Sequence, residues 1–195
     1  RHTRYISVTG VLTCALPIYP AVYGKFDVAT QYNLATTVLM TGLDFNYKQA
    51  LTFLPGWARG AQVFANASTL RTLGEAAANF AGFIPLTANW GASLNRPGYV
   101  LRVRWNYQGR QRRALVAAGR SIEAGTYNWG SKRLIVDVSA EWVLFRKITA
   151  FASVNNLGNA PVDLEIAGPS TPAVAQFRQR TSYGPLWTAG LKRTF

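Results

Sequence analysis

The stretch YVLRVRWNYQ, residues 99–108, alternates between two kinds of side chain. The odd positions are apolar or aromatic. The even positions are polar, namely Arg102, Arg104, Asn106 and Gln108, with Val100 as the exception. Successive side chains of a β-strand point to opposite faces of its sheet, so this pattern predicts a strand with one apolar and one polar face. The stretch exceeds the ~5–6 residues of an ordinary strand and matches the ~9–11 tilted residues that cross a bilayer.

The same alternation recurs along most of the chain. LIVDVSAEWVL (134–144), LTANWGASL (86–94) and LDFNYKQ (43–49) repeat it clearly, while 61–72 and 148–157 carry small residues on both faces. We therefore predict an all-β fold, an antiparallel meander of seven or eight long strands that forms part of a transmembrane β-barrel. The predicted strands are 20–33, 37–52, 59–72, 84–96, 99–112, 131–144, 148–157 and 183–195.

The predicted connections alternate in length. LPGWARG (54–60), NRPG (95–98) and FRK (145–147) are tight turns, and between them lie long loops at 72–84, 111–131 and 158–181. Short turns at one end and long loops at the other are typical of outer-membrane β-barrels. In lipid every backbone polar group must be paired internally, which a closed barrel achieves. A soluble β-sandwich would not be expected to sort its loops in this way.

Five charged residues on the polar rows are predicted to face the lumen of such a barrel: Lys48, Arg102, Arg104, Asp137 and Glu141. Arg102 and Arg104 have two interpretations. They line a path for an acidic ligand such as a ferric chelate, or they pair with Asp137, Glu141 or a plug domain. The pairing is the favoured interpretation.

The net charge of +13 raises the question of nucleic-acid binding. Within 99–108, however, the aromatic and arginine side chains lie on opposite faces, whereas single-strand binding needs both along one groove. No nucleic-acid partner is predicted. GRQRR (109–113) is interpreted as a loop rim in solvent or against anionic lipopolysaccharide.

Familiar catalytic chemistry has few residues to use. His2 is the only histidine and Cys14 the only cysteine, and the acidic residues show no metal-loop spacing. We predict no catalytic residue, no metal site and no cofactor, and thus a protein that is not an enzyme.

The segment VTGVLTCALPI (8–18) lacks alternation. It resembles strings at the ends of metagenomic translations, where adapter sequence is read as protein. We interpret residues 1–18 as a non-native or disordered leader, in preference to a signal peptide or a lipoprotein site at Cys14. Residues 19–195 are then the barrel domain.

Four stretches carry a family resemblance. They are YKQALTFLPGWARGAQVFANAS (47–68), residues 83–113, FASVNNLGNAP (151–161) and the final WTAGLKRTF (187–195). From about residue 30 to residue 195 the chain resembles the C-terminal barrel of TonB-dependent outer-membrane receptors. In that family a terminal aromatic belongs to the signal read by the barrel assembly machinery, and the resemblance assigns this signal to Trp187, Leu191 and Phe195.

The resemblance also implies a setting and a function. Family barrels have about 22 strands around a plug, and a short box binds the TonB energy-transducing complex of the inner membrane. Neither plug nor box is recognisable here, so we expect a C-terminal fragment in the outer membrane of a Gram-negative-type bacterium, surrounded by lipid and lipopolysaccharide. The implied function is energised uptake of a large, scarce solute such as a ferric siderophore. Two alternatives remain, a complete eight-stranded porin-like barrel and a soluble β-sandwich binding module.

Overall fold

The computed structural model describes residues 9–14, 28–33, 37–74, 82–119, 121–145 and 147–193. Over these residues the regular structure is β-strand, with two single-turn 3-10 helices at Gly56–Ala58 and Ala173–Ala175. No helix in the described part is long and apolar enough to span a membrane. The strands are β1 Thr9–Cys14, β2 Val28–Asn33, β3 Leu39–Ala50, β4 Ala61–Leu73, β5 Leu86–Arg96, β6 Tyr99–Gln108, β7 Gln111–Leu115, β8 Tyr127–Gly130, β9 Arg133–Phe145, β10 Ile148–Asn155, β11 Val162–Ala167, β12 Phe177–Thr181 and β13 Leu186–Arg193.

The chain divides into two compact units, residues 1–42 with 70–81 and residues 43–69 with 82–195. In the first unit β1 and β2 pair antiparallel, from Thr9 opposite Asn33 to Cys14 opposite Val28. β2 lies within the predicted strand 20–33. β1 lies in the segment 8–18, for which the sequence pattern predicts no strand.

Seven strands form one sheet in the order β13-β10-β9-β6-β5-β4-β3. Apart from interposed short strands, this order follows the chain, and β3 and β13 are the edges of an open sheet. The prediction of an all-β, antiparallel meander of long strands is confirmed. The seven predicted strands from 37–52 to 183–195 each contain or closely overlap an observed strand of this sheet.

Three short connections lie at one end of this sheet, which we call the turn end. They are residues 51–60, 97–98 and 146–147. Gly60 in the first has φ +96°, and a Cβ there would overlap the carbonyl oxygen of Asn95, so only glycine fits. The opposite end, the loop end, carries the longer connections.

Two of those connections differ from the prediction. The expected loops 111–131 and 158–181 contain β7, β8, β11 and β12, which form a second, four-stranded sheet in the order β12-β11-β8-β7. These strands have only 4 to 6 residues, too few to establish a clear alternation of apolar and polar side chains. We call this the small sheet.

The register of the large sheet fixes its two faces, because directly paired residues of antiparallel strands point to the same side. One continuous row across six strands is entirely apolar: Val63, Ala92, Val103, Val138, Val154 and Trp187. The neighbouring row is entirely polar: Gln62, Ser93, Arg102, Ser139, Ser153 and Thr188. We call the two sides the apolar face and the polar face.

Little apolar surface is covered. Among the described residues only two hydrophobic side chains, Ala58 and Val154, are buried. On the apolar face Trp142 is 62% exposed, and Trp187 and Leu191 are each 69% exposed. The large sheet thus lacks a buried core in the part of the chain that the structure describes.

Candidate functional site

The predicted charged residues lie on the polar face. Arg104 on β6 is paired with Asp137 on β9, and Val100 is paired with Glu141. Arg102 therefore shares its side with Asp137 and Glu141. Lys48 on β3 borders the same depression as Arg102 and Arg104. The structure thus brings Lys48, Arg102 and Arg104 to one depression and Arg102 to Glu141, but it does not gather all five side chains into one cluster.

This central depression encloses about 540 Å³. Three cations border it, together with two amide side chains and one aromatic ring: Lys48, Arg102, Arg104, Asn46, Gln62 and Phe64. Phe64 is apolar but lies on the polar face, since it pairs with Gly91 and that residue with Arg104, and it is a functional candidate that alternation did not single out.

Phe64 lies across the backbone of Gly91, its partner on β5. A Cβ built on Gly91 would overlap the carbonyl oxygen of Val103 and lie 2.8 Å from Cε1 of Phe64. The absence of a side chain at this glycine therefore lets the ring lie close against the strand, where it helps to line the depression.

Glu141 links three strands of the polar face. Lys192 on β13 donates a hydrogen bond to Glu141 Oε2, and Arg102 Nη1 lies 3.8 Å from Glu141 Oε1. The favoured pairing of Arg102 with Glu141 thus exists, but Glu141 is shared with a closer cation. Lys192 was not predicted as a site residue, because only the register of β10 with β9 and β13 places it beside Glu141.

Asp137, one of the acids predicted to pair with Arg102 or Arg104, forms an ion pair with neither. Asn106 Nδ2 donates to Asp137 Oδ2 at 2.9 Å, and the backbone nitrogen of Asn156 donates to Oδ1 at 3.0 Å. Both carboxylate oxygens are therefore occupied by amide donors where the chain leaves β10. Arg104 forms no ion pair with any residue that the structure describes.

The small sheet carries a second polar cluster. Arg110 lies 2.7 Å from Glu165, donates a hydrogen bond from Nη2 to the side-chain oxygen Oε1 of Gln176 at 3.0 Å, and stacks 4.4 Å from the ring centroid of Trp129. Arg112 stacks 4.8 Å from the ring centroid of Tyr127. Residues 109–113 are thus not merely a solvent rim. Arg110 and Arg112 are two positions apart, as are the aromatic residues Tyr127 and Trp129 that they stack on. This matched spacing of cations and aromatic rings is visible in the sequence.

Two carboxylates of the small sheet and its connections have altered titration. Arg180 donates two hydrogen bonds to Asp163, at 2.8 and 2.7 Å, and these hold the pKa of Asp163 below its ordinary value. Hydrogen bonds from the hydroxyl and backbone nitrogen of Ser170 lower the pKa of Glu123. The Glu123–Ser170 contact joins the two long connections, whereas the Asp163–Arg180 pair joins β11 to β12 within the second one.

The residues assigned to the assembly signal lie at the edge of the large sheet. Trp187 and Leu191 on β13 belong to the apolar face, since they pair with Val154 and Ala150. Phe195 lies outside the described residues.

Within the described residues, no three histidine, cysteine, aspartate or glutamate side chains form a group able to hold a metal ion. No protein-family model, curated protein or solved structure matches this chain.

Proposed function

We propose that the chain forms part of the barrel wall of a TonB-dependent outer-membrane receptor, whose role is energised uptake of a large, scarce solute such as a ferric siderophore. The observation that carries the proposal is the pair of adjacent cross-strand rows, one apolar from Val63 to Trp187 and the other polar from Gln62 to Thr188. A sheet of this kind separates an apolar medium from an aqueous one.

The charges on the apolar face support a lipid contact. At its register-paired positions from β4 to β13, the only charged side chains are Arg96 and Arg193, and both lie at the turn end. Long arginine side chains near a membrane boundary can extend to the headgroups. Contiguous exposed apolar surface is unfavourable in water by ~25 cal/mol per Å², and acyl chains remove that cost.

The apolar face carries aromatic residues at both ends, in addition to the Trp90–Trp105 pair between them. At the turn end Tyr99 stacks on Trp142 with centroids 5.7 Å apart, and at the loop end lie Tyr107 and Trp187. Along β6 the rise from Tyr99 to Tyr107 is about 26 Å, at ~3.3 Å per residue. Strand tilt shortens this span somewhat, which suits an apolar band of ~25 Å flanked by aromatic girdles.

Under this proposal the two ends of the large sheet lie on opposite sides of the membrane. The turn end is periplasmic and the loop end, with the small sheet, is extracellular, as in known outer-membrane barrels. The polar face then lines the water-filled or plugged interior. Contact with the TonB complex is assigned to a plug domain, as the family resemblance implies, and insertion to the barrel assembly machinery.

Fractionation of the source bacterium tests the membrane part of the proposal. The chain should sediment with lipopolysaccharide-bearing membranes, resist extraction by high salt and carbonate, and dissolve in detergent. Release by salt alone would contradict the proposal and favour a soluble β-sandwich. The transport part is tested by deleting the gene: uptake of labelled ferric siderophores should fall, and unchanged uptake of every solute tried would count against it.

A further inference from the structure

We propose that the central depression of the polar face binds an anionic solute with a planar apolar portion and two or more carboxylate or phosphate groups. This inference deepens the proposed function and rests on it, because the polar face is the water-facing side only when lipid covers the apolar face. It names a ligand class and the residues that recognise it.

The first argument is an excess of positive charge. Lys48 and Arg104 form no ion pair with any described residue, and Arg102 has only Glu141 at 3.8 Å. Glu141 is already hydrogen-bonded to Lys192. Of the three cations that border the depression, only Arg102 has a carboxylate partner among the described residues, and it shares that carboxylate with Lys192. Like charges gathered in this way repel each other unless an anion lies between them.

The second argument is a set of unused hydrogen-bond donors. Asn46, Gln62 and Ser93 line the depression, and their side chains form no hydrogen bond with any described residue. Elsewhere on the polar face such groups are paired, as where Asn89 donates to Asn66 at 3.0 Å. Amide and hydroxyl donors beside cations suit the oxygens of carboxylate or phosphate groups.

The third argument is the shape of the depression. Phe64 supplies an apolar ring among the cations, held against Gly91. Lys48 and Arg104 lie three strands apart, which at ~4.8 Å per strand is about 14 Å between backbones. Anionic groups at two ends of a ligand suit cations that reach the depression from β3 and β6, and a planar apolar centre suits the ring of Phe64 on β4, which lies between those strands. The volume of about 540 Å³ lies within the usual range for small-molecule sites.

Calorimetric titration of the purified chain in zwitterionic detergent tests this inference. The probe is mellitate, a benzene ring that carries carboxylates around its edge, and benzoate is the monoanionic comparison. We expect saturable binding of mellitate to one site, weakened by salt, and no measurable binding of benzoate. Arg104→Gln and Lys48→Gln should each weaken mellitate binding about tenfold, the size expected for one charge-assisted contact.

Lys132→Gln is the matched control, because Lys132 is exposed and lies outside the depression. It should change the affinity less than about twofold, in line with a remote surface charge. Phe64→Leu should weaken mellitate but leave citrate, which has no ring, unaffected. Equal losses in Lys132→Gln and Arg104→Gln, or binding that does not saturate, would overturn the inference.

The two proposals fail separately. A chain that resists salt extraction but does not bind mellitate overturns the anion site alone. A chain released by salt that still binds mellitate through Arg104 overturns the proposed function and leaves the recognition chemistry in place.

Discussion

Trp90 and Trp105 lie directly opposite each other on β5 and β6, with ring centroids 6.4 Å apart and planes 4° from parallel. The pair belongs to the apolar face, and Trp90 is 37% exposed. Aromatic pairs in this offset arrangement contribute ~0.5–1.5 kcal/mol beyond their area burial. A partly exposed pair of indole rings on one side of an open sheet is well placed to report contact with acyl chains.

We therefore predict that lipids brominated on their acyl chains quench the tryptophan fluorescence of the reconstituted chain. The double variant Trp90→Phe, Trp105→Phe should lose a clear share of the quenching, because the two indole rings it lacks are the ones expected to contact the bromine atoms. If iodide in the aqueous phase quenches the same share instead, the stack faces water and the prediction is wrong.

A charge on the apolar face should prevent stable insertion. Val103 lies at the centre of β6, paired with Ala92 and Val138. Val103→Arg should destabilise the inserted chain by ~2–4 kcal/mol, the cost of an arginine at mid-bilayer depth. Urea unfolding in vesicles measures it.

Ser153→Arg is the control for depth. Ser153 on β10 belongs to the polar row next to the apolar row of Val103, and it lies beside a depression of about 400 Å³. This variant should insert nearly as well as the wild type. Equal losses for both arginines would show that the two faces do not differ in their surroundings.

Gly91 should tolerate no side chain. In Gly91→Ala the new methyl group would meet the Val103 carbonyl and the Phe64 ring, so the strand or the ring must shift. We expect a loss of ~1–3 kcal/mol, typical of overpacking, again by urea unfolding. Gly98→Ala is the matched control, since a Cβ there meets nothing within 4 Å. The geometry of the depression would be contradicted if Gly91→Ala left the free energy of unfolding unchanged while Gly98→Ala lowered it.

Acid should loosen the small sheet. The folded pKa of Asp163 lies below its ordinary value of 3.8 because of Arg180, so this pair stabilises the fold above that pH and the stabilisation is lost as pH falls through and below it. The hydrogen bonds from Ser170 also lower the pKa of Glu123, so its contribution to stability is likewise lost as the pH falls. Water screens this exposed pair, so we expect only a small contribution to the free energy of unfolding.

Hydrogen exchange at residues 162–167 and 177–181 measures this effect. Exchange corrected for its intrinsic pH dependence should speed up between neutral pH and pH ~3, and Asp163→Asn should reduce the change. An undiminished change in Asp163→Asn would assign the acid response to other groups.

The large sheet was predictable because its signal is local and repeated. In 99–108 and 134–144 the alternation of apolar and polar residues within each strand indicates which side chains share a face. The tight turns indicate which strands are neighbours in the sheet. The face shared by Arg102, Arg104, Asp137 and Glu141 followed from the same alternation.

The partners of these residues were not predictable in the same way. Lys192 reaches Glu141 across the paired strands β13, β10 and β9, and Asp137 is bonded by Asn156 after β10, so both contacts depend on register. The small sheet was missed because its short strands are joined by side-chain contacts such as Arg110 with Glu165, far apart in sequence. β1 was missed because residues 8–18 have no period of two.

The central claim is that one face of the large sheet meets lipid and the other meets water. The most direct measurement is a spin-label scan along β6, one cysteine at a time from residue 99 to 108, in vesicles and in a chain with Cys14 replaced. Oxygen accessibility should peak at Leu101, Val103 and Trp105, and accessibility to a water-soluble nickel chelate should peak at Arg102, Arg104 and Asn106. Two profiles that rise and fall together, or show no period of two, would contradict the account.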